Sequence, residues 1–536
     1  MDGIAPYALL FLSFALRASL LLGESLWRDE VDSIRFAFAP FSALMNNLTR
    51  NGFNGPLYEI LLRGWLTLGG INDFTLRYLS LLSGVALIAL TYVFTRRVLN
   101  RRVATVTAWL MTIAPVLIWY SGEGKMYTLQ PALLVLALYA LRRAVDWVNV
   151  TGRWRHLNYW WVVFVIALSL GYYTHLLTPL FLPVAILFFV AWWPRAKNHW
   201  RGGLIAMAIC SLPYIPLAIW QVPTFIAGQN TGHSFYTLDE TIYALVYNWS
   251  AGLSTTWFPG ADAALTWLPI TLYAGMIGVA LVGMIDVESV PGRLHPMRTL
   301  VALAGWVLVP ILLIYLISTR APVFEPRYLL WLVPAFYILA AAGIVWMMQR
   351  KVWLGCLACA ALSVASLLGL YTQVAQPIRP DMRGAASFLA GQMQSTDRFM
   401  FQIPYTRYAF EYYLPRVAPQ LPLESELNPS DGLRTLDGLR PRLYDGPYTN
   451  AGASEQDVQQ AMFSLLVTEQ RVWFIEAESG MWDVRGLAHT WLDEHLQLVQ
   501  RYPFRGVTLY LYEIPQNKYF FKHVFLPVCL ASPYSP

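Results

Sequence analysis

Asp29, Glu30 and Asp32 lie in the stretch Trp27-Arg-Asp-Glu-Val-Asp-Ser33, just beyond the first long apolar run of the chain, residues 5–22. Ionised groups gain nothing at the edge of hydrocarbon unless they are paired or hydrated, so bilayer packing gives no reason for three carboxylates there. A carboxylate at a membrane surface can act as general base on an acceptor hydroxyl or amine. Asp29 suits that role, because Trp27 and Arg28 set an aromatic ring and a cation beside it. Glu30 completes an acidic pair, and Asp32 reads as a cap for a helix starting near Val31. A second set of residues is basic. Lys125 closes the turn Tyr120-Ser-Gly-Glu-Gly-Lys125, His175 follows Thr174, and Arg320 precedes Phe324-Glu-Pro-Arg-Tyr328, which holds Arg327. Each alone has a plain explanation: a Glu123–Lys125 ion pair, a satisfied interfacial histidine, a snorkelling arginine. Together Lys125, His175, Arg320 and Arg327 fall on one membrane face. Such a set can hold a phosphate, which Arg contacts bidentately and Lys meets as a point charge.

The elements that position these residues follow from hydropathy. The 536-residue chain is 57% hydrophobic and 13% charged, against about 25% charged in soluble domains, and this marks an integral membrane protein. Apolar runs at 5–22, 77–95, 103–119, 126–141, 159–173, 177–193, 203–220, 263–285, 300–317, 328–348 and 353–371 give about eleven transmembrane helices. Residues 177–193 follow their predecessor so closely that the two also read as one broken pair. Arg96, Arg97, Arg101 and Arg102 fill one short connection, and Arg142, Arg143, Arg153 and Arg155 another. Arg195, Lys197 and Arg201, then Arg293 with Arg298, then Arg350 with Lys351 fill three more. These alternate connections share one side, which the positive-inside rule makes the cytoplasm. The N-terminus is then cytoplasmic, the first run is a retained span rather than a cleaved signal, and the acidic and basic candidates all face outward.

From about residue 373 charge, Pro and Gly return. Strand-like runs at 398–403, 471–475 and 507–513 alternate with helical ones at 384–393, 455–468 and 486–496. The expected organisation is a transmembrane domain over 1–372, with a first outer loop over 24–76, and an extracytoplasmic α/β domain over 373–536. Within 24–76, the Gly- and Pro-rich turn before Tyr58 leads into a short amphipathic stretch that reads as an interfacial helix. Cys356 and Cys359 have metal-like spacing but lie in an apolar run without a second Cys or His pair, so apolar packing is the better reading.

The segments Trp27-Arg-Asp-Glu-Val-Asp-Ser33, Gly55-Pro-Leu-Tyr58, Leu76-Arg-Tyr-Leu-Ser80, Trp119-Tyr-Ser-Gly-Glu-Gly-Lys-Met-Tyr127, Tyr173-Thr-His175 and Pro326-Arg-Tyr-Leu-Leu330 occur in this order. In them the chain resembles the GT-C superfamily of membrane glycosyltransferases, in the branch related to protein O-mannosyltransferases and aminoarabinose (lipid A) transferases. Met382-Arg-Gly-Ala-Ala386 and Tyr412-Tyr413 extend the resemblance loosely into the tail. The resemblance implies a polytopic helical membrane protein of GT-C type with a small α/β domain, set in the cell membrane. It implies transfer of a sugar from a polyprenyl-phosphate donor to a lipid, glycan or protein acceptor, with inversion. Asp29 and Glu30 match the catalytic loop. Lys125, Glu123, His175, Arg320, Arg327, Tyr328 and Tyr58 are candidates for the donor phosphate and substrate. One departure is Glu123-Gly-Lys125, where the family commonly carries Glu-x-Arg; Lys keeps the charge without the planar fork. No cofactor and no nucleic-acid partner are expected. A divalent ion between Asp29 and Glu123 is the lesser reading, because hard cations take six or more oxygens. The alternatives are a transporter or flippase of lipid-linked sugars and a non-catalytic GT-C relative. Transporters carry ionisable groups at the bilayer midplane, whereas here the charges sit at helix mouths and the helix interiors read as nearly free of them.

Overall fold

The computed structural model of the chain describes residues 4–47, 53–147, 158–226, 234–257, 263–283, 296–428, 433–445, 454–466, 471–479, 483 and 485–515. It divides into two compact units, Met1–Gly23 with Phe36–Pro377, and Glu24–Arg35 with Ile378–Pro536.

The first unit is helical, and each apolar run contains helix. Among the described residues six helices are long and apolar enough to cross a membrane: Asp73–Val98, Lys197–Ile219, Leu265–Gly283, Met297–Ser318, Pro326–Arg350 and Val352–Ala375. Ala5–Leu20, Tyr159–Tyr172 and Thr178–Ala191 are shorter apolar helices, and Leu129–Val145 has 17 residues. Pro326–Arg350 is enclosed by the others, with 94% of its apolar window buried. Cys356 and Cys359 are free thiols on one of these helices, Cys356 exposed.

The run at 103–119, expected to be one span, is two helices. Arg101–Ile113 and Pro115–Ser121 meet at a bend of 62°. The cause is local. A residue before proline is pushed out of the helical region, and Ala114 is extended at ψ 117°. Pro115 has no N–H for the carbonyl of Met111, four residues back. Arg17, which is 1% exposed, fills that gap. Its guanidinium donates to Met111 O and Thr112 O at 3.1 Å each, to Ser13 Oγ at 2.8 Å and to Ser121 Oγ at 3.1 Å. Arg17 is thus an exception in helix interiors that read as nearly free of charge, a buried cation that ties the first helix to the broken one.

Three of the basic connections share one carboxylate. Arg97, Arg142 and Arg195, from three connections expected in the cytoplasm, converge on Asp146 at 2.9, 3.0 and 3.9 Å. Arg153, Arg155 and Arg293 lie outside the described residues.

The second unit is built on a five-stranded sheet in the order β2-β1-β3-β5-β4. Here β1 is Arg398–Phe401, β2 Leu443–Asp445, β3 Arg471–Ala477, β4 Gln497–Phe504 and β5 Val507–Glu513. The strands β2, β1 and β3 run parallel, while β3, β5 and β4 run antiparallel. β3 is nearly all apolar, as a strand buried on both faces must be. Met400, Val472, Phe474, Tyr510 and Tyr512 meet the helices Glu455–Leu466 and Leu487–His495 on one face. The β4–β5 hairpin turns through Gly506 at φ 68°, a left-handed position that costs glycine little. β4 was not expected, because its exposed edge carries polar residues and Pro503.

Candidate active site

In the second unit the acidic stretch forms the start of the Arg28–Phe38 helix. The N–H groups of Glu30 and Val31 both bond to Trp27 O, at 3.1 and 3.2 Å, so the first turn closes on Trp27. Asp29 and Glu30 thus stand in the first helical turn, where the dipole favours carboxylates. Asp32 is not the cap the sequence suggested. It lies one turn later and pairs with Arg35 at 2.8 Å. Asp29 is half-buried and accepts from Arg28 Nε at 3.2 Å. Glu30 is fully buried, with Arg379 Nη1 at 3.6 Å.

Residues of the tail hold this stretch from the side. Leu26 N–H donates to Tyr413 Oη at 2.6 Å and Ser25 Oγ to Asp381 Oδ1 at 3.1 Å, while Arg383 N–H donates to Ser25 Oγ at 3.3 Å. Arg379 N–H donates to Glu24 Oε2 at 3.2 Å. The Met382–Ala386 and Tyr412-Tyr413 motifs thus include residues that grip the acidic stretch.

In the first unit four separate connections meet. Asn54 to Tyr58 dock on the turn at 173–177: Leu57 N–H donates to Tyr173 O at 2.9 Å and Leu176 N–H to Asn54 Oδ1 at 3.1 Å. Gly55 permits this approach, since a Cβ there would stand 2.2 Å from Tyr173 O. Ser80 Oγ donates to Lys125 O at 2.8 Å. Its single proton is then committed, so the 2.8 Å contact between Tyr58 Oη and Ser80 Oγ has the tyrosine as donor. Thr128 Oγ1 donates to Ser80 O at 2.8 Å, fixing the far end of the Glu123–Lys125 turn. Glu123 is buried and Lys125 half-buried. Glu59, at the start of the helix Leu57–Gly69, is buried beside Lys125. Burial raises its carboxyl above the usual carboxylate range, and the Lys125 charge opposes that shift.

His175 is 2% exposed. Its Nδ1 accepts the Leu177 N–H at 3.1 Å, which places the proton of the neutral ring on Nε2. Burial, and then the Arg327 charge, push its pKa down to about 3. It is therefore a neutral donor and not one of the cations. Nε2 has no hydrogen-bond partner among the described residues. The Tyr328 and Tyr127 rings lie 5.0 and 6.4 Å from the imidazole. The Arg327 guanidinium carbon lies 5.7 Å from the Tyr328 ring and 5.8 Å from that of Tyr127. His175, Arg327, Tyr127 and Tyr328 thus share one set of ring contacts, while Tyr58 and the Lys125 backbone carbonyl meet at Ser80. Arg320 is not shown to join either. It is exposed in the turn after Pro296–Ser318, with its N–H on Ile317 O at 3.0 Å. Tyr127 was visible only as the last residue of a motif, and Arg17 was the lone cation of an apolar run, itself a signal.

Residues 54–220 match the family described as dolichyl-phosphate-mannose-protein mannosyltransferase. Among solved structures, ArnT from Cupriavidus metallidurans in the apo state is similar at 12% identity and TM-score 0.56, over 94% of this chain and 97% of that one. The same protein bound to undecaprenyl phosphate gives 11% identity and TM-score 0.53 over the same shares. The oligosaccharyltransferase of Archaeoglobus fulgidus in the apo form gives 11% identity and TM-score 0.56, over 96% of this chain and 75% of that one. No curated protein sequence matches the chain. At these identities the likeness to solved structures is one of fold.

Proposed function

From the premise that this chain has the fold of GT-C membrane glycosyltransferases, we propose that it transfers a sugar from a polyprenyl-phosphate donor to an acceptor at the outer face of the membrane, with inversion. The observation that carries the reading is the meeting of His175, Arg327 and Tyr127 from three separate connections, with Lys125 two residues before Tyr127 in the chain. Cleaving a sugar from a polyprenyl phosphate leaves negative charge on the departing phosphate, and donors and cations set in advance stabilise that charge best. Lys125 and Arg327 supply cations, the His175 Nε2–H a neutral donor, and Tyr127 and Tyr328 aromatic surface for the sugar or isoprene. Asp29 takes the acceptor proton as the acceptor oxygen or nitrogen attacks the anomeric carbon. The bond to the phosphate oxygen breaks on the opposite face. A membrane structure of a similar protein that holds undecaprenyl phosphate supports the choice of donor lipid.

The test is binding of undecaprenyl phosphate to the purified protein. Arg327→Ala should raise Kd by about tenfold or more, the size of one lost charge-assisted hydrogen bond, and should raise the apparent KM for the donor. Equal affinity in the wild type, Arg327→Ala and Lys125→Ala would remove the phosphate site from this network.

A further inference from the structure

The cation beside Asp29 is held by a second carboxylate from far along the chain. Arg28 Nη1 donates to Glu478 Oε2 at 2.8 Å while Arg28 Nε faces Asp29 Oδ1 at 3.2 Å. The three side chains are about equally half-buried, at 18%, 18% and 22% exposed. Glu478 directly follows β3, the central strand of the sheet, so its backbone is anchored at the end of that strand. Its φ is 55°, and among the described residues it is the one non-glycine with a positive φ. A long side chain in the left-handed region is strained, and such strain gathers where the surrounding structure needs a particular group. Glycine would sit there without strain. The carboxylate must therefore do something that glycine cannot.

The other charges around this stretch are already matched. Arg35 pairs with Asp32 on the helix itself, and Arg379 lies against both Glu24 and Glu30. Arg383 stacks on the Tyr413 ring at 5.7 Å.

We propose that Glu478 is a positioning residue for Asp29, acting through Arg28. By holding one arm of the guanidinium it fixes the cation in place and draws part of its charge away from Asp29. Asp29 is then oriented by a cation without being neutralised by a full ion pair, and it keeps the basicity a proton acceptor needs. This inference rests on the proposed role of Asp29 as base.

The experiment is the pH dependence of kcat/KM for sugar transfer by the full chain in membranes, with whichever labelled polyprenyl-phosphate sugar the wild type uses. Arg28→Gln removes the cation and should move the acidic limb up by about one pH unit. Glu478→Gln removes one carboxylate from the guanidinium beside Asp29 and should move the same limb down, by about half a unit. Glu478→Gly relieves the strain, so its melting temperature should be no lower than the wild type's while its limb moves as in Glu478→Gln. A purely structural role predicts the reverse, a lower melting temperature and an unmoved limb, and that result overturns the inference. So do shifts of the same sign in Arg28→Gln and Glu478→Gln. Asp29→Asn separates the two levels. If it transfers sugar as the wild type does, the base assignment itself falls. If it is inactive while the Arg28 and Glu478 variants leave the limb in place, only the coupling falls.

Discussion

Burial makes His175 a neutral imidazole with a fixed tautomer, because Nδ1 accepts the Leu177 N–H and a charged ring would be desolvated next to Arg327. The consequence for stability has a definite sign. Above about pH 6.5, the ordinary histidine value, folded and unfolded chains are both neutral at this position and it adds no pH dependence. As pH falls from there toward about 3, the unfolded chain takes a proton that the folded chain refuses, and stability falls. The loss between pH 6.5 and 5 is about 2 kcal/mol at most. Thermal melting of the wild type in detergent at pH 7 and pH 5 should therefore differ more than that of His175→Gln. Equal differences would mean that the imidazole is solvated. The motif Tyr173-Thr-His175 marks this residue as basic, and nothing in it reports that the ring is enclosed and therefore neutral. Asp32 shows the same limit. Its type suggested a cap, but the helix starts at Arg28, since the carbonyl of Trp27 is already in position to accept the first N–H groups.

At the scale of elements, the broken helix carries the turn that bears Glu123 and Lys125. Its bend follows from Pro115, and the carbonyls it frees are satisfied by Arg17 rather than by water. Arg17→Ala should leave Met111 O and Thr112 O unpaired in a buried setting, at about 1–3 kcal/mol for each group. Expression and melting temperature should both fall, and Arg17→Lys should recover only part of the loss, since an ammonium cannot span the same acceptors. An unchanged melting temperature in Arg17→Ala would show that the bend is held by other means. Each apolar run contains helix, because apolar runs of span length have few alternatives in a membrane, but the helix Leu238–Ala251 lies outside all of them. Hydropathy missed the bend, which depends on one proline and on a partner almost a hundred residues away. In the sheet, the apolar strands β1, β3 and β5 were legible from their composition. The polar edge strand β4 was not, since its place is set by pairing with β5.

For the whole molecule, the least legible feature is that Glu24–Arg35 packs with the C-terminal unit rather than with the helices on either side of it. No local pattern encodes contacts across 356 positions, such as Ser25 with Asp381. The sequence nevertheless supplied the acidic stretch, the motifs that grip it and the order of the helical connections, and from these the proposed chemistry follows. The central claim is that Asp29 is the base of a sugar transfer. Membranes containing the full chain are supplied with radiolabelled polyprenyl-phosphate sugars, and incorporation is measured for the wild type, Asp29→Asn and Asp32→Asn. Asp29→Asn keeps size and hydrogen-bonding capacity and should lower the rate by about 10² to 10⁴ without loss of protein. Asp32→Asn loses the charge of one half-buried ion pair within a helix turn, at a cost of about 1 kcal/mol, and should transfer at close to the wild-type rate. Transfer by Asp29→Asn at the wild-type rate would contradict the account.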